Sequence, residues 1–229
     1  MRRSVVVLCA LAAALGGCAR GDDATKPTRT IEPQFTASSP SPKAPGKDSK
    51  GCTLLTAKER RSIAGEELDV VAPSEAAKDT LKCRWVNTLS TPVPRALRVE
   101  TTPAQRWVLG LPQQIDNTIA SGRSERRYSK RLQAAKKKVF EGADEIGDKE
   151  ACRMFSLLVE VNGGKKGASQ MFLFLPAEAG GITAIAQSCT KGVYTLLTYD
   201  EKGLAPSLPL GAAMLRLVKI AQKRAIKLQ

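Results

Sequence analysis

Cys18 is the residue with the clearest chemistry. It follows Leu15, Gly16 and Gly17 at the end of an apolar run, the spacing of a bacterial lipobox. A thiol there is the nucleophile that takes a diacylglyceryl group. Two glycines leave the backbone open to a signal peptidase, and the freed amino group can carry a further acyl chain such as palmitate. Two or more chains anchor a protein lastingly, whereas one is marginal.

Four further cysteines, Cys52, Cys83, Cys152 and Cys189, lie in the C-terminal part. None is in a Cys-x-x-Cys pair, so a zinc ribbon or thioredoxin-like site is not expected. An even number in an exported domain predicts two disulfides. Three pairings are possible. Cys52–Cys83 with Cys152–Cys189 is favoured because near neighbours in sequence meet most easily. Cys9, inside the apolar run, reads as a small apolar residue.

The chain has no histidine. This excludes Ser-His and Cys-His nucleophile pairs and histidine-bearing zinc sites. Ser188 and Lys191 have the Ser-x-x-Lys spacing of serine acyl-enzymes, but that chemistry needs the serine to open a helix. Gly192 and strand-like residues follow instead, so a turn is expected. The glycines and lysines of 163–167 do not match a phosphate-binding loop, which needs Gly-Lys-Ser/Thr opening a helix. Asp144, Glu145, Asp148 and Glu150 lack the alternating spacing of a calcium loop and read as a solvated cluster facing nearby lysines. No catalytic residue, metal ligand or cofactor is expected.

The strongest binding signal is basic. The whole chain has a formal charge of +14. Residues 123–138 hold Arg123, Arg126, Arg127, Lys130, Arg131, Lys136, Lys137 and Lys138 against Glu125 alone. Such a stretch can capture an anionic lipid head group, an anionic wall polymer or an acidic protein surface. Nucleic acid is not expected. The exported location disfavours it, and ten aromatics in the chain leave few stacking platforms.

The elements that must position these groups follow from patterning. Met1, Arg2 and Arg3 precede twelve residues, 4–15, that are apolar after the first. The run is too short to span a bilayer, which needs about 20 apolar residues, and fits a signal peptide at 1–17. Residues 18–51 form a Ser-, Thr-, Pro- and Lys-rich linker with Ile31 and Phe35 as its large apolar groups. It is expected to be disordered. As a flexible coil it averages roughly 30 Å end to end, a spacer between the membrane anchor and a domain at 52–229.

In that domain Thr56 and Glu59 form a capping-box pattern, with a helix over 57–64 stopped by Gly65. Residues 82–87 and 96–101 read as strands. Pro103 can open a helix that Leu111 and Pro112 interrupt, with Ile115 and Ile119 continuing the apolar stripe to Gly122. Another helix is expected over 124–140. From Ala151 the pattern reads as period two. Residues 152–161 and 170–175 form one strand pair across 162–167; 182–187 and 193–199 form a second around Lys191 and Gly192. A last helix over 207–227 has Met214, Leu217, Val218, Ala221, Ala225 and Leu228 on one face. Arg216, Lys219, Lys223 and Lys227 lie on another.

The run Cys52, Thr53, Leu54, Leu55, Thr56, Ala57, Lys58, Glu59, then Gly65, then Cys83, Arg84 and Trp85 resembles the start of an uncharacterised lipoprotein family of actinobacteria. The likeness covers about 34 residues, and Arg60 and Arg61 depart from it where members are more apolar. It implies an α+β domain, an antiparallel sheet packed with helices and similar to PsbP-like folds, anchored by lipid on the extracellular side of the cell membrane. It brings no catalytic residues. The function expected is non-enzymatic binding or scaffolding of an anionic partner. The alternative is a carrier or sensor of a small apolar ligand or lipid held between sheet and helices.

Overall fold

The computed structural model describes residues 49–68, 70–71, 79–87, 95–120, 126–176 and 181–228. The chain divides between Ser39 and Pro40, and every described residue belongs to the unit Pro40–Gln229. Cys18, the expected signal peptide and nearly all of the expected linker lie outside the described residues, as does Arg123.

The domain is α+β, as the sequence predicts. Its strands are β1 (Val70–Val71), β2 (Leu81–Val86), β3 (Arg95–Pro103), β4 (Gln170–Pro176), β5 (Ile182–Thr190) and β6 (Val193–Glu201). They form one antiparallel sheet in the order β1-β2-β3-β6-β5-β4. The helices are α1 (Ala57–Ala64), α2 (Ala104–Trp107), α3 (Leu111–Ala120), α4 (Arg126–Gly142), α5 (Asp148–Val161) and α6 (Leu208–Leu228). Helices α1 and α6 pack with one sheet face; α2, α3, α4 and α5 share the core on the other.

Alternation along the strands divides the core in two. On β6, Val193, Leu197 and Tyr199 point to the α6 side, while Tyr194 and Leu196 point to the α5 side. That is the period of two carried through a sheet covered on both faces. The α6 side holds Leu54, Leu55, Trp85, Leu97, Met214 and Leu217. The α5 side is organised by three rings. Trp107 stacks on Tyr194 with centroids 5.1 Å apart, and Phe155 meets both edge-on at 5.6 and 5.8 Å.

The expected disulfides form, Cys52–Cys83 and Cys152–Cys189, with S–S distances of 1.98 and 1.99 Å. The first ties the turn before α1 to β2. The second ties α5 to β5, so each sheet face has one covalent staple to its helical layer. The capping box is present: the Thr56 hydroxyl accepts from the Glu59 N–H, and the Glu59 carboxylate accepts from the Thr56 N–H at 2.7 Å. Gly65 ends α1 in the left-handed conformation at φ 72°.

One expectation is overturned. Residues 152–161 belong to the helix α5, not to a strand, and β4 pairs with β5 instead. Ala151, Met154, Phe155, Leu158 and Val161 are all buried at a spacing of three and four, one face of a helix. Leu157 and Val159 are buried as well, which makes the run look continuous and hides the period. Acidic Asp148 and Glu150 in the first turn suit the helix N-terminus. The loop 162–167 therefore joins a helix to a strand rather than two strands.

Smaller corrections concern boundaries. Pro103 ends β3 and caps α2 rather than taking its first position. The break at Leu111 is a 3-10 turn, Val108–Gly110, after which α3 begins at Leu111. Leu228 on the expected apolar face of α6 is 39% exposed. Gly51, the last residue of the expected linker, is buried: a Cβ there would lie 2.4 Å from the Lys82 carbonyl oxygen.

Candidate anionic-partner surface

Helix α4 presents most of the expected basic cluster. Leu132, Ala135 and Val139 fix its orientation by facing the second core. The cations are then sent in three directions by the 100° step of the helix. Lys136 turns to α3, where its ammonium is 2.6 and 2.8 Å from the two Asp116 oxygens. Arg131 and Lys138 turn to α5, reaching Glu160 at 2.9 Å and Glu150 at 3.0 Å. Lys130 and Lys137 are exposed, and Lys137 lies 3.4 Å from Glu141 one turn away. Arg126 and Arg127 open the helix.

These pairs lower the local charge without removing it. Burial raises the Glu160 carboxyl, but the Arg131 guanidinium and the Gly167 N–H, each donating to it, outweigh this and leave it below the ordinary carboxylate range. Lys138 pulls the Glu150 carboxyl down against burial, with Arg153 adding to it. The Lys137–Glu141 pair is exposed on both sides and Lys138 is exposed in its pair with Glu150; such pairs contribute at most about 1 kcal/mol, so these two cations can exchange one anion for another.

Antiparallel packing of α4 and α5 leaves a groove of about 340 Å³. Its floor is Ala134, Ala135, Met154 and Leu157, and Arg131, Lys138 and Arg153 stand on its rim with the carboxylate Glu150, which pairs with the last two. A smaller hollow of about 210 Å³ meets it at Arg131 and adds Lys166, Tyr128 and Glu160. Arg153 and Lys166 were not among the expected binding residues. Reading 152–161 as a strand places Arg153 away from α4; the 151/154/155/158 spacing is the signal that would have brought it in.

The basic face of α6 does not join this surface. Arg216, Lys219 and Lys223 are exposed on the helix that covers the opposite sheet face. A third groove, of about 290 Å³, lies between α3, the end of α5 and the β4 edge of the sheet. Leu158, Met171, Leu173 and Leu175 supply its apolar wall, and Gln114 and Gln187 are among its polar groups.

The Ser-x-x-Lys residues fall on a hairpin, as expected. Lys191 and Gly192 occupy the turn at φ 51° and 76°, the positive pair that a two-residue hairpin requires. Ser188 is buried and donates its hydroxyl to the Gln222 carbonyl oxygen on α6. Of the acidic cluster, Asp148 packs against Gly192 and accepts from the Gln105 N–H at 3.4 Å. Among the described residues no group of His, Cys, Asp and Glu could hold a metal ion. No described helix is long and apolar enough to cross a membrane.

Comparison with protein-family models, with curated proteins and with solved structures finds no match to this chain.

Proposed function

We propose that this is a lipid-anchored protein of the cell envelope, held at Cys18 on the extracellular side, whose domain binds an anionic partner without catalysing a reaction. Membership of the actinobacterial lipoprotein family and a PsbP-like arrangement belong to the same reading. The observation that carries it is the α4–α5 surface. Three cations, Arg131, Lys138 and Arg153, and one carboxylate, Glu150, surround a groove with an apolar floor, and Lys130 and Lys137 are exposed on helix α4. Cations spaced along two packed helices attract an extended anion, and the floor accepts its apolar parts.

The test is capture from detergent-extracted envelope by the oxidised Pro40–Gln229 unit at low and high salt, with proteins and lipids identified by mass spectrometry. Reversing charge at Lys130, Lys137 and Arg153, all exposed, is expected to weaken the captured partner about tenfold and to flatten its salt dependence. Unchanged capture by that variant removes the proposal.

The groove at the β4 edge supports a second reading, a carrier of a small apolar ligand. Its volume of about 290 Å³ sits near the lower end of known small-molecule sites. A salt-resistant lipid bound by the charge-reversed variant, and lost on Leu173→Arg, would favour it.

A further inference from the structure

Helix α4 carries an aromatic residue that the fold does not use. Leu132, Ala135 and Val139 complete its packing, yet Phe140, one residue on, is 71% exposed. Phe155, Trp85, Trp107, Tyr194 and Tyr199 are buried, Phe172 and Phe174 pack against the first core, and Tyr128 against the second. Phe140 is thus the one exposed aromatic among the described residues. Its ring lies 5.8 Å from the Lys136 ammonium, and Lys137 is three residues back on the same flank. Leu109, 58% exposed, precedes α3, the helix packed beside α4.

We infer that α4 docks on an anionic bilayer surface, with Phe140 entering between the head groups and Lys130 and Lys137 meeting lipid phosphates. This rests on the anionic-partner reading above and names its partner. Charge complementarity supports it: α4 carries seven cations in sequence against one carboxylate, Glu141, and with Lys136, Arg131 and Lys138 paired to Asp116, Glu160 and Glu150, Lys130 and Lys137 are the exposed cations on the helix that carries Phe140. The Lys137–Glu141 pair is exposed on both sides and exchanges readily for phosphate. An acidic protein or wall polymer also satisfies the cations. A bilayer interface in addition takes an aromatic group at head-group depth, with basic residues around it, and requires no shaped pocket.

The Pro40–Gln229 unit contains both cores and both disulfides, so it can be tested without the N-terminal apolar run. Sedimentation with vesicles of pure phosphatidylcholine, and of equal parts phosphatidylglycerol and phosphatidylcholine, reads binding at low and high salt. Binding to the anionic vesicles alone, lost at high salt, is expected. Phe140→Ser should weaken it roughly three- to tenfold, the loss of part of a buried aromatic side chain, and Phe140→Leu should recover most of it. An exposed side chain makes little difference to the thermal midpoint, so unchanged melting confirms that Phe140→Ser is folded. In Phe140→Trp, emission should shift to the blue on adding anionic vesicles, against the constant background of buried Trp85 and Trp107.

Equal binding by Phe140→Ser, or no blue shift, overturns the inference. Salt-sensitive binding to heparin beads without binding to anionic vesicles also overturns it, while leaving the anionic-partner reading in place. Binding to neither probe removes both.

Discussion

Glu59 serves two structures at once. Its carboxylate closes the cap of α1 and also receives the Arg224 guanidinium of α6, with contacts of 2.6 and 2.8 Å. Arg224 further donates to the Leu54 carbonyl at 2.8 Å. Burial raises the Glu59 carboxyl, but Arg224 and the Thr56 N–H and hydroxyl outweigh it, leaving it below its ordinary 4.5. The charged form is therefore favoured by folding. Its contribution is full above 4.5 and is lost as pH falls through the lowered value. Glu59→Ala should cost about 1–3 kcal/mol in urea unfolding at neutral pH, from the lost cap and the stranded Arg224. Glu59→Gln should lessen the acid dependence below 4.5; an unchanged dependence refutes this account. The buried Gln222 is a second such residue. Its amide donates to the Val193 carbonyl at 2.7 Å and its oxygen accepts from Ser188. Gln222→Leu removes both of these bonds under α6, leaving the Ser188 hydroxyl only its 3.2 Å contact with the Ser169 carbonyl, at an expected cost of about 1–3 kcal/mol.

At the scale of elements, α1 and its lead-in are legible from local chemistry. Thr56, Glu59 and Gly65 are a start and a stop that need no tertiary partner. Arg60 shows what local reading misses. It sits on a short, largely exposed helix where a charge run reads as solvated, yet it donates to the carbonyls of Leu55 at 3.0 Å and Leu68 at 2.7 Å and lies 4.9 Å over the Trp85 ring. Its stem and charge both find partners. Gly51 is similar in kind: its value lies in having no Cβ where the β2 backbone passes. Gly51→Ala should lower stability by about 1–3 kcal/mol, the range for overpacking, measurable as a shift in the denaturation midpoint. Helix α5 is the element that composition disguises. Its apolar face is widened because it packs on the sheet, α2 and α4 together, and a widened stripe merges into a continuous run.

The described residues of the Pro40–Gln229 unit form a sheet between two helical layers, with a disulfide on each side. Each staple closes a loop of 31 or 37 residues, worth about 3–4 kcal/mol in the chain-entropy model. The paired substitutions Cys52→Ala/Cys83→Ala and Cys152→Ala/Cys189→Ala should each lose about that much. Being on opposite faces with no shared partner, the two losses should add, and strong non-additivity in thermal or urea unfolding would show that the two cores are coupled. The layering also separates the basic helices. Cations of α4 and α6 lie on different sides of the sheet, so one flat partner cannot meet both.

Local rules settled what depends on neighbours in the chain: the α1 cap, the β5–β6 hairpin at Lys191 and Gly192, and the amphipathic α6. The favoured disulfide pairing also held, because short separations permit close approach. The register of the sheet, β3 beside β6 and the helical identity of 152–161 required tertiary structure. Contacts between residues far apart in sequence decide them, and an apolar run states burial without stating period. The same limit applies to the candidate site. The sequence shows that 123–138 is basic, because charge is a property of composition. Which of those cations turns to Asp116, Glu160 or Glu150, and which remain outward with Phe140, is decided by the rotation of α4 on its core, and that rotation exists once Leu132, Ala135 and Val139 are packed.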